Sequence, residues 1–228
     1  LEDVQALGFP HVNFYGQKGH YGVALLSTIE PQDVQLGIPW AAADQQRRFI
    51  SAKYATGEKT IRILNGYFPQ GESRDHPTKF PDKRQFYQDV TRYLTDNCDP
   101  SEPVIFAGDM NIAPTEQDIG IGEDNAKRWL RTGKCCFLPE EREWLTTLQQ
   151  WGLTDSYATW IKDEPRLWSW FDYRSRGFER EPKRGLRIDL ILATRSIMAG
   201  LEDCGVDQEI RAQEKPSDHC PIWCHFNL

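Results

Sequence analysis

Short apolar runs recur along the chain, each stopped by glycine, proline or polar residues. Val12-Asn13-Phe14-Tyr15 and Tyr21 to Leu26 read as two strands joined by a turn over 16–20. Arg47 to Ala52 and Lys59 to Asn65 read as two more. Val104-Ile105-Phe106-Ala107 follows Pro103 and reads as a buried strand that runs into Gly108-Asp109-Met110-Asn111. Between them, Phe80, Phe86, Tyr87, Val90 and Leu94 recur at helical spacing, so 79–94 is predicted to be a helix. Helices are also predicted over 123–131 and 139–151. Residues 1–7 read as the last turns of a helix closed by Gly8. Residues 168–173 (Trp-Ser-Trp-Phe-Asp-Tyr) read as a short aromatic strand, 187–193 as a strand with an acid inside it, and 221–226 as a final strand. Strands alternate both with helices and with one another, which fits an α/β sandwich with mixed or antiparallel sheets better than a strict βαβ chain.

Composition adds bounds. The 228 residues suit one large domain or two small ones, and no repeat, low-complexity tract or linker divides them. No apolar run approaches 18 residues. The net charge of −7 argues against a partner held by bulk charge, but not against a local basic face. Six cysteines occur without a Cys-x-x-Cys pair, and a chain this long needs no disulfide framework. Reduced, structural thiols in a cytosolic protein are the reading adopted. His219, Cys220, Cys224 and His225 are near enough in sequence for zinc, but strand alternation splays them over both faces.

Polar groups sit at or inside apolar strands in four places: Asn65 to Tyr67, Asp109 to Asn111, Asp189, and Asp218-His219. Each alone has an ordinary structural explanation. Asp109 can cap the next segment, Asn111 can form an Asx turn before Pro114, and Asp189 can pair with Arg187. Four such places together point to a shared site, because buried carboxylates are costly unless paired or metal-bound. Side chains two apart on a strand point the same way, so Asp109 and Asn111 are expected to face one object. Carboxylate and amide oxygens suit a hard cation such as Mg²⁺, and His with Asp suits contact with a phosphoryl oxygen. With no phosphate-cradling loop and no Gly-x-Ser-x-Gly elbow, metal-assisted hydrolysis of a phosphate ester is the chemistry that fits.

A basic face is also readable. Arg128, Arg131 and Lys134 recur every three residues, as one side of a helix or as a solvated charged face. Between Arg174 and Arg187 six basic residues stand against two acidic ones. Beside them, Trp168 and Trp170 alternate with Phe171; one set is core, or one contacts nucleic acid.

The segments Asn65 to Ser73, Gly108-Asp109-Met110-Asn111-Ile112, Gly185 to Asp189 and Lys215 to His219, with Arg128 to Lys134 and Ser169 to Ser175, resemble the bacterial exonuclease III family. These are metal-dependent apurinic/apyrimidinic endonucleases and 3′-exonucleases. The resemblance runs from about Gly8 to the C-terminus and implies a four-layered α/β sandwich: two sheets face to face, helices outside, the site at one edge. It also implies roles. Asp109 orients and activates water, Asn111 and Tyr67 hold phosphate oxygens, and His219, oriented by Asp189, contacts the scissile phosphate. The implied ligands of Mg²⁺ (or Mn²⁺) are Asp218, Asp109, Asn111 and His219. Implied DNA contacts are Gln70, Arg74, Arg128, Arg131, Lys134, Arg174 and Trp170, the last filling an abasic gap. The implied partner is duplex DNA with abasic sites or 3′ ends, bound by a monomer in the bacterial cytoplasm.

The family pattern opens with a strand–helix–strand unit that supplies an Asn and a Glu ligand, and nothing in this chain corresponds to it. The chain therefore reads as a single domain over 1–228 lacking that unit, with weak metal binding and low turnover expected. A non-catalytic DNA-binding remnant is the alternative. A phosphoesterase acting on inositol phosphates or lipids is disfavoured by the segments 128–134 and 168–175.

Overall fold

The computed structural model describes residues 2–41, 46–162 and 164–228; Leu1, the start of the first predicted helix, lies outside them. Strands β1 (His11–Gly16), β2 (Gly22–Ser27), β3 (Pro31–Leu36), β4 (Phe49–Thr56) and β5 (Lys59–Tyr67) follow the short helix α1 (Glu2–Ala6). Helix α2 (Lys79–Asn97) then crosses to β6 (Val104–Asp109). After it come α3 (Glu123–Thr132), α4 (Pro139–Gln150), β7 (Leu153–Asp155), α5 (Ser156–Ile161), β8 (Asp189–Thr194), α6 (Arg195–Met198), β9 (Leu201–Val206), α7 (Gln208–Arg211) and β10 (Ile222–Phe226).

Six strands form one mixed sheet in the order β3-β4-β5-β6-β8-β7. Only β5 and β6 run parallel in it, and the crossover helix α2 joins them. Alternation divides the two faces. Phe49, Leu64, Phe106, Leu190 and Leu192 point to one side and pack with α2 and α4 through Phe86, Val90, Leu145 and Leu148. Ile50, Ala52 and Tyr54 point to the other and pack on Val23 and Leu25 of the β1–β2 hairpin. The β9–β10 hairpin covers the same side further along, with Phe226 against Ile61 and Ala193. The fold is thus an α/β sandwich with strand layers face to face. Among the described residues the second layer comes as two separate hairpins. Between them Leu25, Tyr54, Ile61, Ile63, Ile105 and Leu228 line an apolar groove of about 330 Å³.

Two departures from the sequence pattern have clear causes. β3 (Pro-Gln-Asp-Val-Gln-Leu) is half polar and too short of apolar residues to stand out, and its Val34 and Leu36 are exposed, because it is an edge strand with one flank in water. Residues 168–173 do not form a strand. Trp170 makes only isolated bridges to Leu186 and His219, and the buried Ser169 Oγ instead accepts the N–H groups of Ile188 and Asp189, at 3.1 and 3.0 Å. A side chain here does the work of a ladder, and it fixes the start of β8.

Candidate active site

Three neighbouring strands end on one row. In register, Tyr67 of β5 lies beside Asp109 of β6, which lies beside Asp189 of β8. All three sit at positions alternate to the helix-facing core residues, so they point to the hairpin side of the sheet. The close approach of β5 and β6 depends on a glycine pair. Gly108 has φ +148°, and a Cβ there would meet the Gly66 carbonyl oxygen at 2.0 Å. The motif's first glycine is therefore needed to set its aspartate beside Tyr67.

His219 closes the row. Its Nδ1 lies 2.9 Å from Asp189 Oδ2 and 3.1 Å from Oδ1. The imidazole is 31 % exposed and the Asp189 side chain 15 %, so the dyad faces a partly open cleft. The pairing of Asp189 with Arg187 does not form; Arg187 is engaged elsewhere. Ligand atoms of Asp109, Asp189 and His219 all lie within 4.8 Å of one another. Burial, then the Asp189 charge, push the Asp109 carboxyl up to about 7. Burial opposes the charge on His219, but the hydrogen bond and charge of Asp189, with Asp109 and Asp218 beyond, raise it to about 9. Two carboxylates thus share a low-dielectric cleft with one imidazolium, and the cluster carries an excess negative charge. Two carboxylates and an imidazole at this spacing are donors a divalent cation accepts.

Asn111 reaches Asp109 by a route other than strand alternation. β6 ends at Asp109, and Asn111 takes a left-handed conformation with φ 51°. Asp109 Oδ1 accepts the Asn111 backbone N–H at 2.9 Å, and Asn111 Nδ2 donates to Asp109 Oδ2 at 2.8 Å and to the Phe68 carbonyl at 2.9 Å. Asp218, expected among the metal ligands, is outside the three-residue cluster; its Oδ2 accepts the indole N–H of Trp170 at 3.0 Å.

Of the residues expected to contact DNA, Gln70, Arg128, Arg131, Lys134 and Arg174 are exposed. Lys134 lies over the Trp129 ring at 4.0 Å. Arg74 is held by Glu140 in a two-point pair, with Nη2 2.8 Å from Oε2. Trp170 is half-buried, while Phe171 is fully buried core. Arg187, counted in the basic stretch, is only 1 % exposed and bonds Asp118 and Asp155.

Sequence reasoning passed over Arg48 and Lys83. The Arg48 guanidinium is sandwiched between the rings of Tyr21 and Tyr67, at 3.9 and 4.5 Å, and donates to the Tyr67 carbonyl. Lys83 is fully buried under Asn111. A signal for Lys83 was present: it occupies the apolar stripe of α2, three and four residues before Phe86 and Tyr87.

The sequence profile of the Endonuclease/Exonuclease/phosphatase family matches residues 1–219. Exodeoxyribonuclease III of Haemophilus influenzae is 51 % identical over 225 residues, 99 % of this chain and 83 % of that protein. Among solved structures, the 3′ phosphatase NExo from Neisseria, bound to a product DNA hairpin, superposes with a TM-score of 0.88 at 36 % identity. An AP endonuclease from Archaeoglobus fulgidus gives 0.88 at 32 %, and each comparison covers 100 % of this chain and 82 % of the other. With this similarity added to the fold and the row of strand-end residues, the chain belongs to the Endonuclease/Exonuclease/phosphatase family.

Proposed function

We propose that this protein is a DNA-repair nuclease that hydrolyses the phosphodiester 5′ of an abasic site and trims nucleotides or phosphates from 3′ ends. The observation that carries the reading is the row Tyr67–Asp109–Asp189 closed by His219. Asp109, the half-buried carboxylate with the raised pKa, orients the attacking water and takes its proton. His219, charged through its bond to Asp189, holds a non-bridging phosphate oxygen. The Tyr67 hydroxyl donates to a phosphate oxygen as negative charge builds in the transition state, while Asn111 Nδ2, whose two hydrogens go to Asp109 Oδ2 and the Phe68 carbonyl, orients the Asp109 carboxylate instead of the phosphate.

The carboxylates of Asp109 and Asp189 fit a divalent ion by donor type and spacing, with His219 as a further donor only in its neutral form, and Asp218 is bonded to the indole N–H of Trp170. Mg²⁺ is the proposed ion, with Mn²⁺ as its substitute. When bound, it supplies Lewis-acid stabilisation of the phosphate charge. So few protein donors leave most of an octahedral shell to water and phosphate, which favours modest affinity in the free protein.

Duplex DNA is the proposed partner. Arg128, Arg131, Lys134 and Arg174 offer phosphate contacts from the exposed rim. Trp170, half-buried with its indole N–H on Asp218, is the residue proposed to stack in the space left by a missing base. A single domain, acting as a monomer in the bacterial cytoplasm, completes the proposal; the six free cysteines suit a reducing compartment.

The test is a labelled duplex with one abasic analogue, incubated with the chain and Mg²⁺. Expected is a cut leaving a 3′-hydroxyl, lost with chelator and in Asp109→Asn. Binding that falls steeply with salt, with no cut above the Asp109→Asn level, would instead favour a non-catalytic DNA-binding protein.

A further inference from the structure

Lys83 and Glu141 form an ion pair with both side chains 0 % exposed, Nζ to Oε1 2.5 Å. Such a pair seldom adds stability, because desolvating two charges offsets their attraction, and an apolar pair of like volume does as well. Its donors, however, are all directed. Lys83 Nζ also donates to the backbone carbonyl of Asn111 at 2.8 Å and reaches that of Gln70 at 3.3 Å. The three ammonium hydrogens thus have three acceptors on three different segments: the loop after β5, the loop after β6, and α4. Glu141 Oε2 accepts the Leu138 N–H at 2.8 Å, which ties the start of α4 to the same node. One turn further along α2, the Tyr87 hydroxyl donates to the Met110 carbonyl at 2.7 Å. Consecutive carbonyls of the GDMN segment are therefore fixed by one face of α2.

We infer that the buried Lys83–Glu141 pair is a positioning device for the active site, holding the Asn111 backbone in its left-handed conformation and locking it to the Gln70 loop. The reasoning is local. A non-glycine residue in the left-handed region is held there by its surroundings. Besides the side-chain bonds of Nδ2 to Asp109 and the Phe68 carbonyl, the Asn111 backbone has two restraints: Asp109 Oδ1 on its N–H and Lys83 on its C=O. The first is a group the proposed chemistry itself needs, so Lys83 supplies the restraint independent of the reaction. Through the carbonyls of Gln70 and Asn111, Lys83 also sets the spacing between the loop that follows Tyr67 and the loop that follows Asp109. Lys83 touches no reacting atom; it acts through Asn111. The inference rests on the nuclease reading for its kinetic consequence alone.

The test uses the full chain with Lys83→Met and Glu141→Gln combined. The pair becomes neutral, volume is kept, and the Leu138 N–H retains an oxygen acceptor. Expected is a melting temperature within a few degrees of the parent, a kcat on an abasic duplex lowered at least about tenfold, and a smaller change in KM. Ile197→Ala, a cavity in the distant cluster with Ile61 and Ala193, serves as control. It is expected to lower the melting temperature while kcat stays at the parent value. Amide NMR of both forms, without DNA, reads the positioning directly, with shifts and broadening expected at Asn111 and Gln70. If the parent fails to cut DNA, the nuclease reading falls, and the NMR comparison still decides the positioning role. A double variant with kcat within twofold of the parent, or with unchanged resonances at Asn111 and Gln70, overturns the inference. Equal loss of kcat in Ile197→Ala also overturns it, since general destabilisation then explains the effect.

Discussion

Two clusters of ionisable groups lie near the start of β8, and they are built on opposite terms. In one, Arg187 is buried and bonds Asp118 at 2.7 Å and Asp155 at 2.7 Å, with Arg166 completing Asp118 at 2.8 Å. Burial works against the Asp118 charge, but the two arginines hold its carboxyl below the usual range. In the other, two residues further along the chain, Asp189 and Asp109 share one imidazole, and the Asp109 carboxyl is pushed up to about 7. One fold thus neutralises its buried carboxylates completely in one place and leaves them short of positive charge in another. The matched cluster holds the chain from Thr115 to Arg187 together. The unmatched one is partly open to solvent and has an unmet demand for a cation, which a divalent metal ion would supply.

The comparison breaks most sharply under two substitutions. Asp109→Asn is expected to lower cleavage by roughly 10²–10⁴-fold, the range for loss of a positioned base. Thermal unfolding should show its fold unharmed or more stable, since an uncompensated charge is removed. Arg187→Leu should do the reverse to stability. It strands Asp118 and Asp155 in the interior and is expected to cost about 3–5 kcal/mol, read from denaturant unfolding. A loss of that size in Asp109→Asn would erase the distinction between the clusters.

The two clusters also respond oppositely to pH. Asp118 has a lowered pKa, so its contribution is present above the ordinary carboxylate range and lost on acidification through the lowered value. Both His219, raised to about 9, and Asp109, raised to about 7, bind protons more tightly in the folded state. The His219 contribution is complete below about 6.5 and lost as pH rises to about 9, and the Asp109 contribution fades between about 4 and 7. NMR titration of His219 is expected to give a value near 9. In Asp189→Asn it should drop well below 9, because only the weaker pull of Asp109 and Asp218 then opposes burial. A value unchanged in that variant would show that Asp189 does not orient the ring.

The smallest effects are on the rim. Arg174→Ala is expected to reduce the slope of log affinity for duplex DNA against log salt by about 1. Arg74→Ala should reduce it less, since Glu140 already occupies that guanidinium. A larger change at Arg74 than at Arg174 would mean that the Glu140 pair opens on binding.

What the sequence disclosed follows from where the chemistry lies. Strand ends rich in Asp, Asn and His stand out against apolar runs, so Asp109, Asn111, Asp189 and His219 were visible before any fold. Their meeting depends on register between β5, β6 and β8, which no single stretch encodes. The edge strand β3 escaped notice because its few apolar residues, Val34 and Leu36, are exposed and too short a run to mark a strand. Residues 168–173 misled for a related reason: aromatic alternation there reflects packing on both sides of a coil pinned by Ser169. Arg187 was taken with the basic surface because charge counts carry no burial. Lys83 was hidden by its type, although a lysine in the apolar stripe of α2 is itself an anomaly that asks for a buried partner.

Divalent-ion binding to the free chain tests the central claim most directly. Titration with Mn²⁺, followed by its electron paramagnetic resonance signal, is predicted to show one site in the parent chain, weakened at least about tenfold in Asp109→Asn. Mg²⁺ competes for it, and saturation at about a hundred times Kd raises stability by about 2.7 kcal/mol. Equal binding in parent and variant, or none in either, would contradict the claim that the unmatched carboxylates are kept for a cation.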